Sequence, residues 1–381
     1  MPKRILILTA DAGFGHRRAA EALEAALTQR YLSQCEVTIV NPFQDPVLPD
    51  LVRRVETGYD EYVVDDPTLY QLAYTATDAP VVAQLLQDVT TTVLNKALTG
   101  IVQTLLPDVI VTTYPAFIQA AIRAGHDVAR STPVDVVVTD LVNVHSLWFH
   151  KQADLTFVPT GNVYKQALDY GLDKKKVHLT GLPVHPRFAD EKRDQVAVRK
   201  ALGWKTDMTT ALIVGSARAR DTAAIALLLD RSGLPLQIAA VSGNDQENED
   251  QLRATTWKGA VHVYGMIDNM PDMMHAADFI VCKAGGLIVT EALACGLPLI
   301  LYEALPGQEV GNVRYIVDSG AGAWSPGPIG VLTTAYAWLA GDQTELRKCA
   351  AAARHVGKPR AAYDIAECIF RQIKRPGKGN T

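Results

Sequence analysis

The chain has 381 residues, 48% of them hydrophobic and 20% charged, with a net charge of −4. That length predicts two domains of ordinary globular composition, and the absence of a basic balance excludes nucleic acid as the default partner. The five scattered cysteines form no CxxC pair, which argues against a zinc site or a disulfide framework and fits a reducing cytosol.

The first apolar run, Arg4–Thr9, follows Lys3 and is closed by Asp11. It is too short for a secretory leader and reads as a strand. No run of about 18 uncharged apolar residues follows anywhere, so no membrane span is predicted. Short β-branched runs then recur at Glu36–Val40, Asp108–Thr112, Val134–Thr139 and Asp154–Pro159. They recur again at Thr210–Gly215, Leu236–Ser242, Ala260–Tyr264, Asp278–Cys282 and Pro298–Tyr302. Helix-period segments separate them, beginning with Ala19, Ala22, Leu23, Ala26 and Leu27 on one face. Near-continuous apolar strands alternating with helices predict parallel sheets covered on both faces.

The pattern restarts after "GLPVHPRF", Gly181–Phe188, and a charged run, Asp190–Arg199. The expected organisation is therefore two doubly wound, Rossmann-like α/β domains facing each other across a cleft. Their expected bounds are 1–186 and 187–358, with a helix and tail over 359–381 that can cross back to the first domain. One segment breaks the rhythm. Residues 41 to about 106 are rich in Pro, Tyr, Asp and Thr, which suits either a helical insertion or a lip handling an apolar, interfacial substrate.

The turn "TADAGFGHRR" has the outline of a dinucleotide fingerprint. Gly13 and Gly15 fit, but Arg18 stands at the third glycine position, and the second strand ends in Asn41 rather than an acid. A nicotinamide cofactor is therefore not expected. The glycines instead leave room beside His16 at a helix N-terminus. The positive helix end disfavours imidazolium, so His16 can serve as a neutral general base. Asp140, at another strand end, is the second catalytic candidate.

The second half carries "CKAGGLIVTEALACGLPLILYEALPGQEVGN", Cys282–Asn312. The backbone amides of Gly285 and Gly286 can cradle a diphosphate at a helix start. Glu291 can accept bonds from ribose hydroxyls. Gln308, Glu309 and Asn312 suit the hydroxyl ring of a sugar. The turn Gly265–Met266–Ile267 can bond a flat base through its backbone, and Lys283 or Arg218 can supply a cation to the leaving phosphates. His145, Trp148 and His150 with Asp140 have irregular spacing for metal ligation, so no metal is expected.

This K-x-G-G, T-E-A, G-x-P and G-Q-E-x-G-N series resembles the C-terminal donor domain of GT-B glycosyltransferases of family 28. "TADAGFGHRRAAEAL", "TTYPAF" and "VVTDLVNVHSLWFHKQAD" resemble the N-terminal domain of monogalactosyldiacylglycerol synthases and bacterial processive diacylglycerol glucosyltransferases. The resemblance spans nearly the whole chain. It departs at Leu287 and Ile288, where the family commonly has Thr or Ser. It departs also at "GSARARDTAA", which lacks the usual glycine run, so Arg218 and Arg220 are read as supplying the charge there. Phe14 interrupts the family's N-terminal glycines.

The resemblance implies a GT-B lipid glycosyltransferase. It would move galactose or glucose from UDP-galactose or UDP-glucose to the hydroxyl of 1,2-diacylglycerol, with inversion and without a cofactor or metal. Gly13, Gly15, Tyr114, Pro115, His145 and Trp148 would line the acceptor site, and Gly215 would join the donor set. The enzyme would be cytoplasmic and peripheral on the inner face of the cell membrane, on anionic lipid. Two alternatives remain open: another lipid or polyprenyl-linked acceptor, and a non-catalytic lipid or nucleotide-sugar binding module.

Overall fold

A computed structural model describes residues 1–11, 14–53, 77–78, 80–127, 131–189, 193–215, 221–307 and 309–374. The chain divides into two compact units, Met1–Pro186 with Arg360–Thr381, and Arg187–Pro359.

The first unit is built on six strands: β1 (Lys3–Leu8), β2 (Cys35–Val40), β3 (Val109–Thr112), β4 (Val134–Val137), β5 (Leu155–Val158) and β6 (Val177–Leu179). They form one sheet in the order β2-β1-β3-β4-β5-β6, and every pair is parallel. Strand periodicity sorts the core. Leu6 and Leu8 face Leu94, Leu98, Phe117 and Trp148 on one side, whereas Ile5 and Ile7 face Leu23, Leu27, Ile365 and Ile369 on the other.

The last helix, Ala361–Lys374, belongs to this unit. Phe370 stacks on Tyr31 with ring centroids 3.7 Å apart, and Tyr363 donates to Gln29 at 2.7 Å. Ile365, Ile369 and Phe370 are buried there, each contributing about 1.5–3 kcal/mol of apolar burial. Within the Pro- and Tyr-rich segment, a 26-residue helix, Pro80–Leu105, packs against the helix Ile118–His126. Most of the Tyr-rich stretch lies outside the described residues.

The second unit holds β7 (Thr209–Val214), β8 (Leu236–Val241), β9 (Val261–Tyr264), β10 (Phe279–Lys283), β11 (Leu299–Glu303) and β12 (Gly322–Trp324). Its order is β12-β11-β10-β7-β8-β9, again all parallel. Read from β9, that is the classical dinucleotide-fold order. In such sheets ligands sit at the carboxyl ends of the strands where the winding reverses. The reversals fall between β1 and β3 in the first unit and between β7 and β10 in the second. Among the described residues no helix is long and apolar enough to cross a membrane.

Candidate active site

His16 sits in the first turn of the helix Phe14–Tyr31, directly after β1, so it stands at the first unit's winding reversal. Its Nδ1 is 2.7 Å from Thr139 Oγ1 and 3.0 Å from the carbonyl oxygen of Thr113. A carbonyl can only accept, so Nδ1 carries the ring proton and the lone pair lies on Nε2. Thr113 is itself fixed: its hydroxyl lies 2.9 Å from Thr9 Oγ1 and 3.1 Å from the His16 carbonyl. Thr9, Thr113 and Thr139 follow β1, β3 and β4, so three neighbouring strand ends hold one imidazole.

Aromatic groups close around the ring. Tyr114 meets it edge-on with centroids 4.9 Å apart, and Trp148 lies at 6.1 Å. Trp148 is fully buried, and its indole Nε1 donates to Asp140 Oδ2 at 2.7 Å. Burial pushes the His16 pKa below its ordinary value. The Asp140 charge and the bond to Thr113 oppose that shift without reversing it. His16 is therefore neutral at pH 7 with Nε2 ready to accept a proton.

Bonds to Thr113 and Thr139 orient the His16 ring, and Asp140 acts on it through its charge. Gly15 has open space where a Cβ would be, with no atom within 4 Å. Pro115 opens a short turn after Tyr114. His145 is held by internal bonds. Its Nδ1 accepts from Leu147 N–H at 3.1 Å, and Nε2 lies 3.2 Å from Thr77 Oγ1. An accepting Nδ1 and a pKa lowered by burial make the ring neutral, despite Asp78 at 3.6 Å. It caps the turn Ser146–Trp148 and so anchors Trp148.

The positions that spoiled the dinucleotide fingerprint are used internally. Arg18 pairs with Glu21 at the surface, and Asn41 donates to Asp11 at 2.8 Å. Asp11 also receives Arg17, which holds its carboxyl below the usual range.

In the second unit Lys283 ends β10, and Gly285 stands at the N-cap of the helix Gly286–Ala294 with extended backbone. Lys283 Nζ is 3.2 Å from Glu309 Oε1. Glu309 Oε2 accepts from Leu305 N–H at 2.7 Å. Glu291 is half-buried on the same helix. Asn312 was expected at the sugar. It is buried, and its Nδ2 donates to the Ala284 carbonyl at 2.9 Å, so it braces the turn that leads into Gly285.

Gly215 is required by the protein's own packing, since a Cβ there would lie 2.6 Å from Thr222 Oγ1. A Cβ on Gly265 would meet only the Glu249 carboxylate, the end of a flexible side chain. Met266 is exposed and Ile267 half-buried beside them. Gly13, Arg218 and Gln308 lie outside the described residues. Among the described residues no cluster of three His, Cys, Asp or Glu is arranged to hold a metal.

Residues 16–184 match the family model described as monogalactosyldiacylglycerol synthase, and residues 210–323 match the glycosyltransferase family 28 C-terminal domain. The monogalactosyldiacylglycerol synthase 1 of Arabidopsis thaliana, chloroplastic, is 29% identical over 98% of this chain and 72% of its own. A probable monogalactosyldiacylglycerol synthase 2 of Oryza sativa subsp. indica, also chloroplastic, is 30% identical over 98% of this chain and 81% of its own. The chain belongs to the monogalactosyldiacylglycerol synthase family. Its fold is GT-B. The S. aureus MnaA structure with UDP superposes at a TM-score of 0.63, with 15% identity, over 100% of this chain and 99% of that one.

Within that family frame, the residues missed by sequence reading are Thr9, Thr113, Thr139 and Asp11. A threonine at a strand end carries no signal of its own. Only the paired strand ends reveal that Thr113 and Thr139 meet one histidine and that Thr9 holds Thr113.

Proposed function

We propose that this enzyme transfers a hexose from a UDP-sugar to the free hydroxyl of 1,2-diacylglycerol, with inversion at the anomeric carbon. The observation that carries the reading is the match to diacylglycerol-galactosylating synthases along 98% of the chain. The site chemistry agrees with it. His16 Nε2 takes the acceptor proton as the oxygen attacks. Asp140, held by the Trp148 indole, stabilises the imidazolium that forms. Tyr114 and Trp148 supply the apolar wall. A single displacement with one base and no covalent intermediate inverts the centre.

The departing diphosphate gathers negative charge. The Gly285–Gly286 amides and Lys283 meet that charge, Glu291 binds the ribose, and Gln308 and Glu309 bind the sugar. This reading assigns no metal and no cofactor. We take the sugar as galactose, on the likeness of the Thr139–His150 string to the galactosyl branch and on the names of the relatives.

The acceptor is a membrane lipid, so the enzyme works at a membrane surface, which we take to be the cytoplasmic face of the cell membrane. Val82, Leu85, Val89 and Val93 support this. They fall on one face of the helix Pro80–Leu105 and are 39%, 63%, 56% and 38% exposed. A panel of diacylglycerol, polyprenyl-linked glycan and sterol acceptors in the same vesicles, with labelled UDP-galactose and UDP-glucose, tests the proposal. Labelled glycolipid is expected from diacylglycerol and UDP-galactose. No product from either donor on diacylglycerol would overturn it.

A further inference from the structure

The donor turn already carries an anion. Gly285 caps the helix Gly286–Ala294 with no side chain of its own, and a helix end of this kind attracts negative charge. The carboxylate of Glu309 supplies it. Oε1 is 3.2 Å from Lys283 Nζ and 3.8 Å from the point where a Cβ on Gly285 would lie. Oε2 is held by the Leu305 N–H. The Lys283 and Glu309 side chains keep only 12% and 10% exposure. A cation, a helix end and the space left by a glycine are the three things a diphosphate would use. A carboxylate of the same chain already pairs with the cation and lies beside the space left by the glycine at the helix end.

We propose that Glu309 is an internal competitor for the diphosphate position, exchanged for the donor's phosphates on binding and restored once the sugar has left. The inference rests on the donor reading of this turn. Carboxylate and diphosphate carry like charge and repel strongly at contact distance in a site this buried, so they exclude each other at Lys283. An intact UDP-sugar compensates the displaced carboxylate, because the hexose hydroxyls can donate to it. UDP alone offers no such hydroxyls. Its diphosphate is then left beside a like charge, and Glu309 returns to Lys283. The same exchange therefore favours substrate over product and hastens UDP release, a specificity built from repulsion as well as attraction.

Calorimetric titration of UDP and UDP-galactose into wild type and variants tests this. Glu309→Gln removes the charge and keeps an oxygen for the Leu305 N–H. It should bind UDP about tenfold more tightly than wild type, while UDP-galactose gains less, so the preference for intact donor collapses. Glu309→Asp, whose shorter side chain retracts from Lys283, should show a smaller gain for UDP and serves if the Gln variant does not fold. Lys283→Ala should weaken UDP. Unchanged or weaker UDP binding in a folded Glu309→Gln or Glu309→Asp protein would overturn the exchange. A wild type that bound neither nucleotide would overturn the donor reading itself, and the exchange with it.

Discussion

His16 is a buried imidazole whose Nδ1 is tied to Thr113 and Thr139. Its place after a glycine turn marks it as a base; which ring nitrogen carries the proton follows from Thr113, 97 residues away, and burial keeps the ring neutral. His16→Ala should lower kcat by about 10²–10⁴-fold and leave KM for the UDP-sugar nearly unchanged, since the donor groups lie in the other unit. Steady-state kinetics at saturating acceptor checks both. The lowered pKa sets the pH profile. The base form persists below the ordinary histidine value of 6.5, so kcat should hold through pH 6.5 and fall only at lower pH. An inflection above 6.5 would contradict the desolvated site. Stability carries the same sign. Because the folded pKa is depressed, the unfolded chain protonates first as the pH falls. The contribution of His16 is complete above 6.5 and is lost between 6.5 and the lower folded value.

At the scale of elements, the apolar runs announced ten strands within a residue or two of where they lie, because strands buried on both faces leave near-continuous hydrophobic runs. β6 and β12 were not legible. Each is three residues long at a sheet edge, and β12 begins with Gly322, where a Cβ would lie 2.2 Å from the Leu299 carbonyl oxygen. Close backbone pairing selected the glycine and erased the strand signal. The run Val134–Thr139 shows the opposite case. β4 stops at Val137, and Thr139 turns out of the ladder to reach His16. The donor turn was legible as a turn, but Asn312 was not legible as its brace, since an exposed and a buried asparagine look alike in sequence. The C-terminal helix is a load of a different kind. Ile369 is fully buried against the first unit's sheet, so Ile369→Ala should cost about 2–5 kcal/mol. Chemical denaturation should show it as a lower midpoint with an unchanged slope.

For the whole molecule, family membership and GT-B fold set the substrate classes, and the working place follows from the acceptor. Leu85→Glu with Val89→Glu should reduce co-sedimentation with anionic, diacylglycerol-containing vesicles roughly tenfold. Thermal stability should change little, because both side chains are exposed. Equal sedimentation would remove this helix face from the account. The central claim is that hexose passes directly from UDP to diacylglycerol with His16 as the base. Mass spectrometry of the lipid recovered from diacylglycerol vesicles, wild-type enzyme and UDP-galactose tests it most directly. The lipid should gain one hexose, in the inverted configuration by proton NMR, and His16→Ala should slow the gain by about 10²–10⁴-fold. UDP-galactose consumed with no hexose on the lipid, or a His16→Ala enzyme as fast as wild type, would contradict it.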